Sequence, residues 1–476
     1  MPPYRPVEQH ASAPSPGGYH RYHIETAPAP DIAPFPSRFR VEVKRHRLAL
    51  LILKEALHYR GNKEVIASRP CVYGVFSGPV GGFAPREQLC VGCLRCTTEY
   101  PDVVQIHKNP EHARLGDAFF TADYVEAVSY EARTGRIPVK GAGYRGRFGG
   151  EGWDGMWTDM SEIVRPTRDG IHGREFISTV VDLGEKPGFL ALDERGEPDS
   201  AVPETLLLPV PMLFDAPPPA AISERLVRAL ADAARATATL AVLPLSAMER
   251  FGCVGPHVVP LVTPAEAPAL RGQPAMIELA GADLASCREL SARFADTIVC
   301  ARLEFAPGLT QELLRLSAAG VRVFHVVADF HGRGQDGRFA LEWIREVHQG
   351  LVEAGSRDAV TLLGSGGVIG AEHVAKAIIC GLDAVALDTP ALVALQARLP
   401  GECRDRTASR FALPDFPHPW GVQRLQNLLG AWRDQLLEVL GAMGLREVRR
   451  LRGEMGRAML QRDLEREAFA GIAGYA

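Results

Sequence analysis

The 476-residue sequence predicts an α/β chain organised around a (β/α)8 TIM barrel, with a small cysteine-bearing module ahead of it and helices behind it. Three observations carry that expectation. Eight short apolar runs alternate with helical stretches after residue 203, as parallel strands buried on both faces do. A glycine-rich turn follows the seventh run, the position at which barrels of this type bind phosphate. Three cysteines spaced C-x2-C-x2-C, at Cys90, Cys93 and Cys96, fall well before the first run.

Composition sets the outer bounds. The chain is 46% hydrophobic and 23% charged, with net charge -4, which fits two or three globular domains and no nucleic-acid partner. Nine cysteines and no signal peptide fit a cytoplasmic protein. The apolar piece Leu48–Leu53 is too short to span a bilayer and is flanked by Arg45, Arg47 and Lys54.

In chain order, residues 1–38 form a Pro-rich arm that cannot bury a core and is expected to be extended or disordered. Residues 39–139 hold an amphipathic helix over 41–58, packing on the body or on a partner, and then the cysteine module. Residues 140–202 are a loop-rich connection, starting with the glycines after Lys140, with one strand-like piece, Phe176–Leu183. Residues 203–420 make the barrel, with runs Leu206–Met212, Leu240–Leu245, Val258–Val262, Met276–Leu279, Thr297–Leu303, Val321–Ala328, Val360–Gly364 and Ala384–Leu387. Residues 421–476 are C-terminal helices. Leu425, Leu428, Leu429 and Trp432 share one face of the first; Gly441 and Gly444 break it before the charged stretch Leu445–Leu464, where Arg449–Arg452 reads as a solvated face.

In a reducing compartment, Cys90, Cys93 and Cys96 point to an iron–sulfur cluster, each thiolate reaching a different iron. Tyr100 occupies the slot of the usual fourth cysteine. The cluster is therefore 3Fe-4S, or 4Fe-4S with a remote ligand, for which Cys71 is the nearest candidate and His107 a weaker one. Structural zinc is the alternative, but it wants a second C-x-x-C pair that the sequence lacks. In the barrel, Gly364, Ser365, Gly366 and Gly367 precede a helix starting near Ala371, and the eighth run ends at Asp388 and Thr389. Glycines let backbone N–H groups approach a phosphate, a following helix N-terminus favours its charge, and Thr389 adds a hydroxyl.

Residues Glu346–Asp358, the Gly366–Gly367 turn, Ala375-Lys376-Ala377, Gly381–Ala384, Asn427-Leu428 and Leu440–Leu445 resemble the FMN-binding domain of glutamate synthase. The resemblance covers about residues 160–460. It implies an FMN-binding barrel that reduces 2-iminoglutarate to glutamate, with the FMN phosphate on Gly366, Gly367 and Thr389. Asp159–Glu175 resembles a segment of stand-alone relatives of that domain. Within it, Arg165, Arg168, His172 and Arg174 alternate with acids and suit either a carboxylate clamp or a surface ion-pair network. Three departures stand out. No glutaminase domain precedes the barrel. The family's G-G-T-G-A loop after the sixth strand reads Asp329–Gly337 here. The family's own cysteine cluster is reduced to Cys403.

Three residues near strand ends are catalytic candidates. Arg302 places a cation where a reduced flavin gathers negative charge, or forms a salt bridge. His325 and His331 are potential proton donors to a substrate, or ordinary hydrogen-bonded histidines. The resulting expectation is an FMN and iron–sulfur oxidoreductase that passes electrons between the cluster and a small anionic substrate. A redox partner protein, ferredoxin or another subunit, and an oligomer or complex are expected with it. The alternatives are an FMN dehydrogenase on another substrate and a non-catalytic electron-transfer or scaffold subunit.

Overall fold

The computed structural model describes residues 22–62, 71–137, 149–160, 177–186, 192–197 and 205–472. Residues 1–21, the glycines after Lys140, Phe176 and the stretch holding Arg165, Arg168, His172 and Arg174 lie outside the described residues. The chain divides into two compact units, one of residues 33–126 with 139–145, the other of 1–32, 127–138 and 146–476.

The smaller unit opens with a strand, Phe39–Val43, antiparallel to Val104–Lys108. The helix expected from residue 41 therefore starts later and runs Arg45–His58. The physical reason is alternation: Val41 points into the core between Arg40 and Glu42, a period of two that a sheet can use and a helix cannot. Leu48 and Leu51 of the helix pack on a core of Val41, Val75, Val103 and Val104, while Leu50, Leu53 and Leu57 stay exposed.

The larger unit is a closed barrel of eight parallel strands. They are β1 (Met212–Phe214), β2 (Ala241–Pro244), β3 (Val258–Val262), β4 (Met276–Ala280), β5 (Ile298–Glu304), β6 (Val323–Val327), β7 (Thr361–Ser365) and β8 (Ala384–Leu387). β8 pairs with β1 and closes the ring. Seven of the eight runs read from sequence are these strands. The first run splits. Pro209 and Pro211 lack the N–H a ladder needs, so Leu206–Leu208 pairs outside the barrel with Val181–Leu183, and β1 keeps only Met212 of that run.

Helices wrap the barrel by burying one face each. In Glu224–Ala236, Ser223 caps the first turn through the Leu226 N–H at 3.3 Å, and Leu226, Val227, Leu230, Ala233 and Ala234 are buried. The long helix His418–Ala442 buries the expected face of Leu425, Leu428, Leu429 and Trp432. Leu445–Leu464, expected to follow as a charged helix, instead forms short turns and a strand, Ala458–Leu460, against Met156–Thr158. The helix there is Gln461–Phe469. Arg452 is not on a solvated face: it pairs with Asp383 at 2.9 Å and with Asp358 at 2.8 Å.

Residues 22–32 are extended, as their composition implies, but held down. The fully buried Arg424 donates to the Ala29 carbonyl at 3.0 Å, to Asp31 at 2.8 Å, and to the Ser129 carbonyl and hydroxyl at 3.1 and 2.8 Å. Asn427 bonds both backbone groups of Ala27 and the Ala132 carbonyl.

At the start of β8, buried Asp383 accepts from Arg357 at 2.8 Å, Lys186 at 2.9 Å, Arg452 at 2.9 Å and the Leu362 N–H at 2.8 Å. Burial pushes its carboxyl up, but Arg357, Lys186 and Arg452 outweigh burial and hold it well below the usual carboxylate range. A depressed folded value gives stability that is present near neutral pH and lost as pH falls through the ordinary carboxylate range. Asp383→Asn is expected to cost about 3–5 kcal/mol at neutral pH by leaving Arg357 buried without its counter-ion. The gap from the unaltered chain should narrow below about pH 4, as followed by thermal unfolding across pH.

Candidate active site and metal centre

The interior of the barrel, towards the C-terminal ends of its strands, contains charge. On β4, Glu278 breaks an otherwise apolar strand and is fully buried. Arg302 on β5 donates to it at 2.6 Å and grips Asp215, just past β1, with two bonds of 2.8 and 3.1 Å. His325 on β6 is the register partner of Arg302 and sets its Nδ1 2.7 Å from Glu278. The same Nδ1 lies 3.2 Å from the Arg302 guanidinium, and Nε2 is buried without a partner among the described residues. Burial raises Asp215, yet Arg302, Arg406 and His325 together hold it well below the carboxylate range. Glu278 is likewise pushed up by burial and brought down further by His325 and Arg302.

A second cation closes the ring. Arg406, in the segment after β8, donates to Asp215 at 3.0 Å, to the Ser365 hydroxyl at 3.1 Å, to Asp388 at 2.7 Å and to the Ala328 carbonyl. One guanidinium thus touches the ends of β1, β6, β7 and β8. It lies 4.8 Å from the centroid of the Phe330 ring. Asp388 also accepts the Thr389 N–H. Burial, with Asp215 nearby, keeps Asp388 above the ordinary carboxylate value despite Arg406. Asp215 faces two guanidiniums and Asp388 one, which accounts for their opposite shifts.

Of the expected catalytic residues, Arg302 and His325 come together. His331 is buried on the loop after β6. The expected phosphate residues gather at the ends of β7 and β8, with different assignments. Gly364 is glycine for packing, since a Cβ there would meet Leu382 at 2.5 Å. Gly366 and Gly367 have positive φ, and added Cβ atoms would meet the Asp329 carbonyl at 2.5 Å and the Gly332 Cα at 2.7 Å. The loop that replaces the family's glycine-rich one therefore lies on this turn, and the Gly367 N–H donates to the Phe330 carbonyl at 3.1 Å. Just ahead of the helix Ala371–Cys380, the N–H groups of Ile369 and Gly370 are taken by His373 Nδ1 at 3.2 and 3.3 Å. What remains suits a phosphate in kind: the Thr389 Oγ1, fully buried and without a partner among the described residues, the Ser365 hydroxyl and the Arg406 cation. Asp215, Glu278 and Arg406 were not legible as site residues. Glu278 alone had a signal, a charge inside an apolar strand.

In the smaller unit, Cys71, Cys90 and Cys96 pack around one apolar core, with Cys90 buried and Cys93 exposed. Burial pushes the Cys96 thiol up, Thr97 draws it back, and the Cys90 and Cys93 sulfurs push it further, so the three motif sulfurs lie within electrostatic reach of one another. Gly92 at φ +70° and Leu94 at φ +59° turn the backbone around them before the short helix Arg95–Glu99. A Cβ on Gly92 would overlap the Phe39 ring at 2.3 Å. Tyr100, in the fourth-cysteine slot, directs its hydroxyl at Glu55, 3.5 Å away. His107 is exposed beside Glu42 at 3.6 Å, away from the sulfurs' core, whereas Cys71 is part of it. Three thiols about one small core, with the exposed Cys93 between two of them in the motif, suit an iron–sulfur cluster in their chemistry.

A conserved region of glutamate synthase matches residues 337–409, which run from the end of the β6 loop through Arg406. The archaeal-type glutamate synthase [NADPH] of Dehalococcoides mccartyi is 26% identical over 442 residues, covering 77% of this chain and 86% of that protein. Over these stretches the chain is similar to the glutamate synthase family. The archaeal glutamate synthase [NADPH] of Methanocaldococcus jannaschii is 35% identical over 121 residues, 24% of each chain. Among solved structures, a flavocytochrome b2 mutant with pyruvate bound has a TM-score of 0.42 at 13% identity, over 65% of this chain and 77% of that one. A mandelate oxidase mutant has a TM-score of 0.38 at 17% identity, over 60% and 90%.

Arg302→Met removes the cation shared by two buried carboxylates. A loss of about 3–5 kcal/mol is expected. Arg404→Ala breaks the half-exposed pair with Asp329 and should cost no more than about 1 kcal/mol. Thermal unfolding of the two variants side by side checks the contrast.

Proposed function

We propose that this chain is an FMN- and iron–sulfur-dependent oxidoreductase of the glutamate synthase type acting on a small anionic substrate, with 2-iminoglutarate and glutamate as the leading pair. The observation that carries the reading is the pairing of two sites on one chain: the C-x2-C-x2-C motif with Cys71, Cys90 and Cys96 around one core, and a barrel in which a buried hydroxyl without a partner among the described residues, Thr389 Oγ1, lies with Ser365 and Arg406 at the ends of β7 and β8. FMN, when bound, exchanges electrons singly or in pairs, and an iron–sulfur cluster passes them singly, so the two groups suit one chain. The relatives named as glutamate synthases [NADPH] support the substrate class.

The chain's own residues have defined tasks in this reading. Cys90, Cys93 and Cys96, with Cys71 as fourth ligand, hold the cluster. Ser365, Thr389 and Arg406 receive the phosphate, while Gly366 and Gly367 let the loop after β6 pack beside them. Arg302 is held rigid by Asp215 and Glu278 and presents fixed positive charge inside the barrel. His325, oriented through Nδ1 by Glu278, has Nε2 left to bind substrate or move a proton. His331 lies on the loop that departs from the family pattern. That loop favours a second reading, a substrate other than glutamate with electrons delivered to a ferredoxin or another subunit. A redox partner and an assembly larger than one chain belong to both readings.

A visible spectrum of anaerobically purified protein, before and after dithionite, is the first test. Flavin bands over a broad iron–sulfur shoulder, both bleaching on reduction, are expected. A shoulder without flavin, even after incubation with FMN, would overturn the flavoenzyme reading. Cys93→Ser should lose iron and keep flavin; full iron retention would remove the cluster assignment. Flavin bleaching by glutamate separates the leading substrate from the alternative.

A further inference from the structure

We propose that the Asp388 carboxylate is a built-in surrogate for the FMN phosphate, holding Arg406 at the β7–β8 mouth until the cofactor's phosphate displaces it. The inference rests on the flavin reading above and adds an internal competitor to it.

Asp388 uses its two oxygens as a phosphate would use two of its own. One accepts the Thr389 N–H; the other takes Arg406 at 2.7 Å. The same guanidinium nitrogen reaches the Ser365 hydroxyl at 3.1 Å, so an anion beside Ser365 and Thr389 would meet Arg406 directly. Thr389 Oγ1 is fully buried and has no partner among the described residues, a donor that a larger anion with more oxygens can use and Asp388 does not. A carboxylate and a phosphate cannot share this space cheaply, because like charges close together and away from water repel strongly.

Arg406 is not left without a counter-ion when Asp388 lets go. It keeps Asp215 at 3.0 Å and the Ala328 carbonyl. Asp215 in turn is held by Arg302 from the other side. The exchange therefore moves one anion for another against a cation that stays in place. Arg406 is a phosphate-binding residue in this account, and Asp388 sets the threshold for loading.

The test compares FMN with riboflavin, which lacks the phosphate, on the full chain stripped of flavin, by quenching of flavin fluorescence. Asp388→Asn keeps the shape and removes the charge. It should tighten FMN at least about tenfold and leave riboflavin unchanged, since only FMN brings a competing anion. Inorganic phosphate should compete with FMN at lower concentration in the variant than in the unaltered chain, and should not compete with riboflavin. Asp388→Ser repeats the comparison with a smaller side chain if the Asn variant does not fold. FMN binding to the unaltered chain with no selective gain in either variant would overturn the surrogate and leave the flavin reading standing. Binding of neither flavin to any of the proteins would remove both.

Discussion

Arg302 is the point on which the barrel's interior depends. Its guanidinium lies between Asp215 from the β1 end and Glu278 from β4, and each of those carboxylates has a further partner, Arg406 or His325. Away from water, a single uncompensated charge costs several kcal/mol, so these groups hold only as a set. The set links β1, β4, β5 and β6 through side chains, in addition to the backbone ladder. It also orients His325, whose Nδ1 meets Glu278 and Arg302.

The relation between loop and glycine turn has the same logic. In a barrel that presents its β7 turn to a ligand, glycine allows the ligand to come close. Here the Asp329–Gly332 backbone comes close instead, and Gly366 and Gly367 are still required. Identical residues thus serve protein packing and cofactor approach, which is why a glycine-rich turn carries family membership well and occupancy poorly. The cysteine unit shows the opposite relation. Gly92 there leaves room for the Phe39 ring of the strand Phe39–Val43, and Cys71, Cys90 and Cys96 pack around the same small core.

Much of the barrel was legible in the sequence because parallel strands buried on both faces leave continuous apolar runs. β2 to β8 follow that rule, and the helix His418–Ala442 shows its buried stripe at helical spacing. β1 was misplaced because two prolines divide an apolar run that periodicity treats as one. Val41–Val43 reads as the start of the helix because the partner of their strand lies far along the chain at Val104–Lys108. Arg302 and His325 could be picked out as polar residues at strand ends. Arg406 could not: its role comes from a loop returning over four strand ends, and no spacing encodes that. Asp388 was read as a phosphate residue. Its carboxylate proves to be engaged with Arg406, a distinction that depends on geometry alone.

The fastening of residues 22–32 by Arg424 and Asn427 has a consequence for how the chain is made. A ribosome releases the first segment nearly four hundred residues before the helix that anchors it. Until His418–Ala442 emerges, the early strap lacks its Arg424 and Asn427 anchors, and Asp31 faces Arg133 without Arg424. The cysteine unit, by contrast, is complete in sequence long before the barrel begins. Maturation of the two units is therefore separated in time. The cysteine unit can fold on a nascent chain, while the strap is fastened to His418–Ala442 only after synthesis has nearly finished.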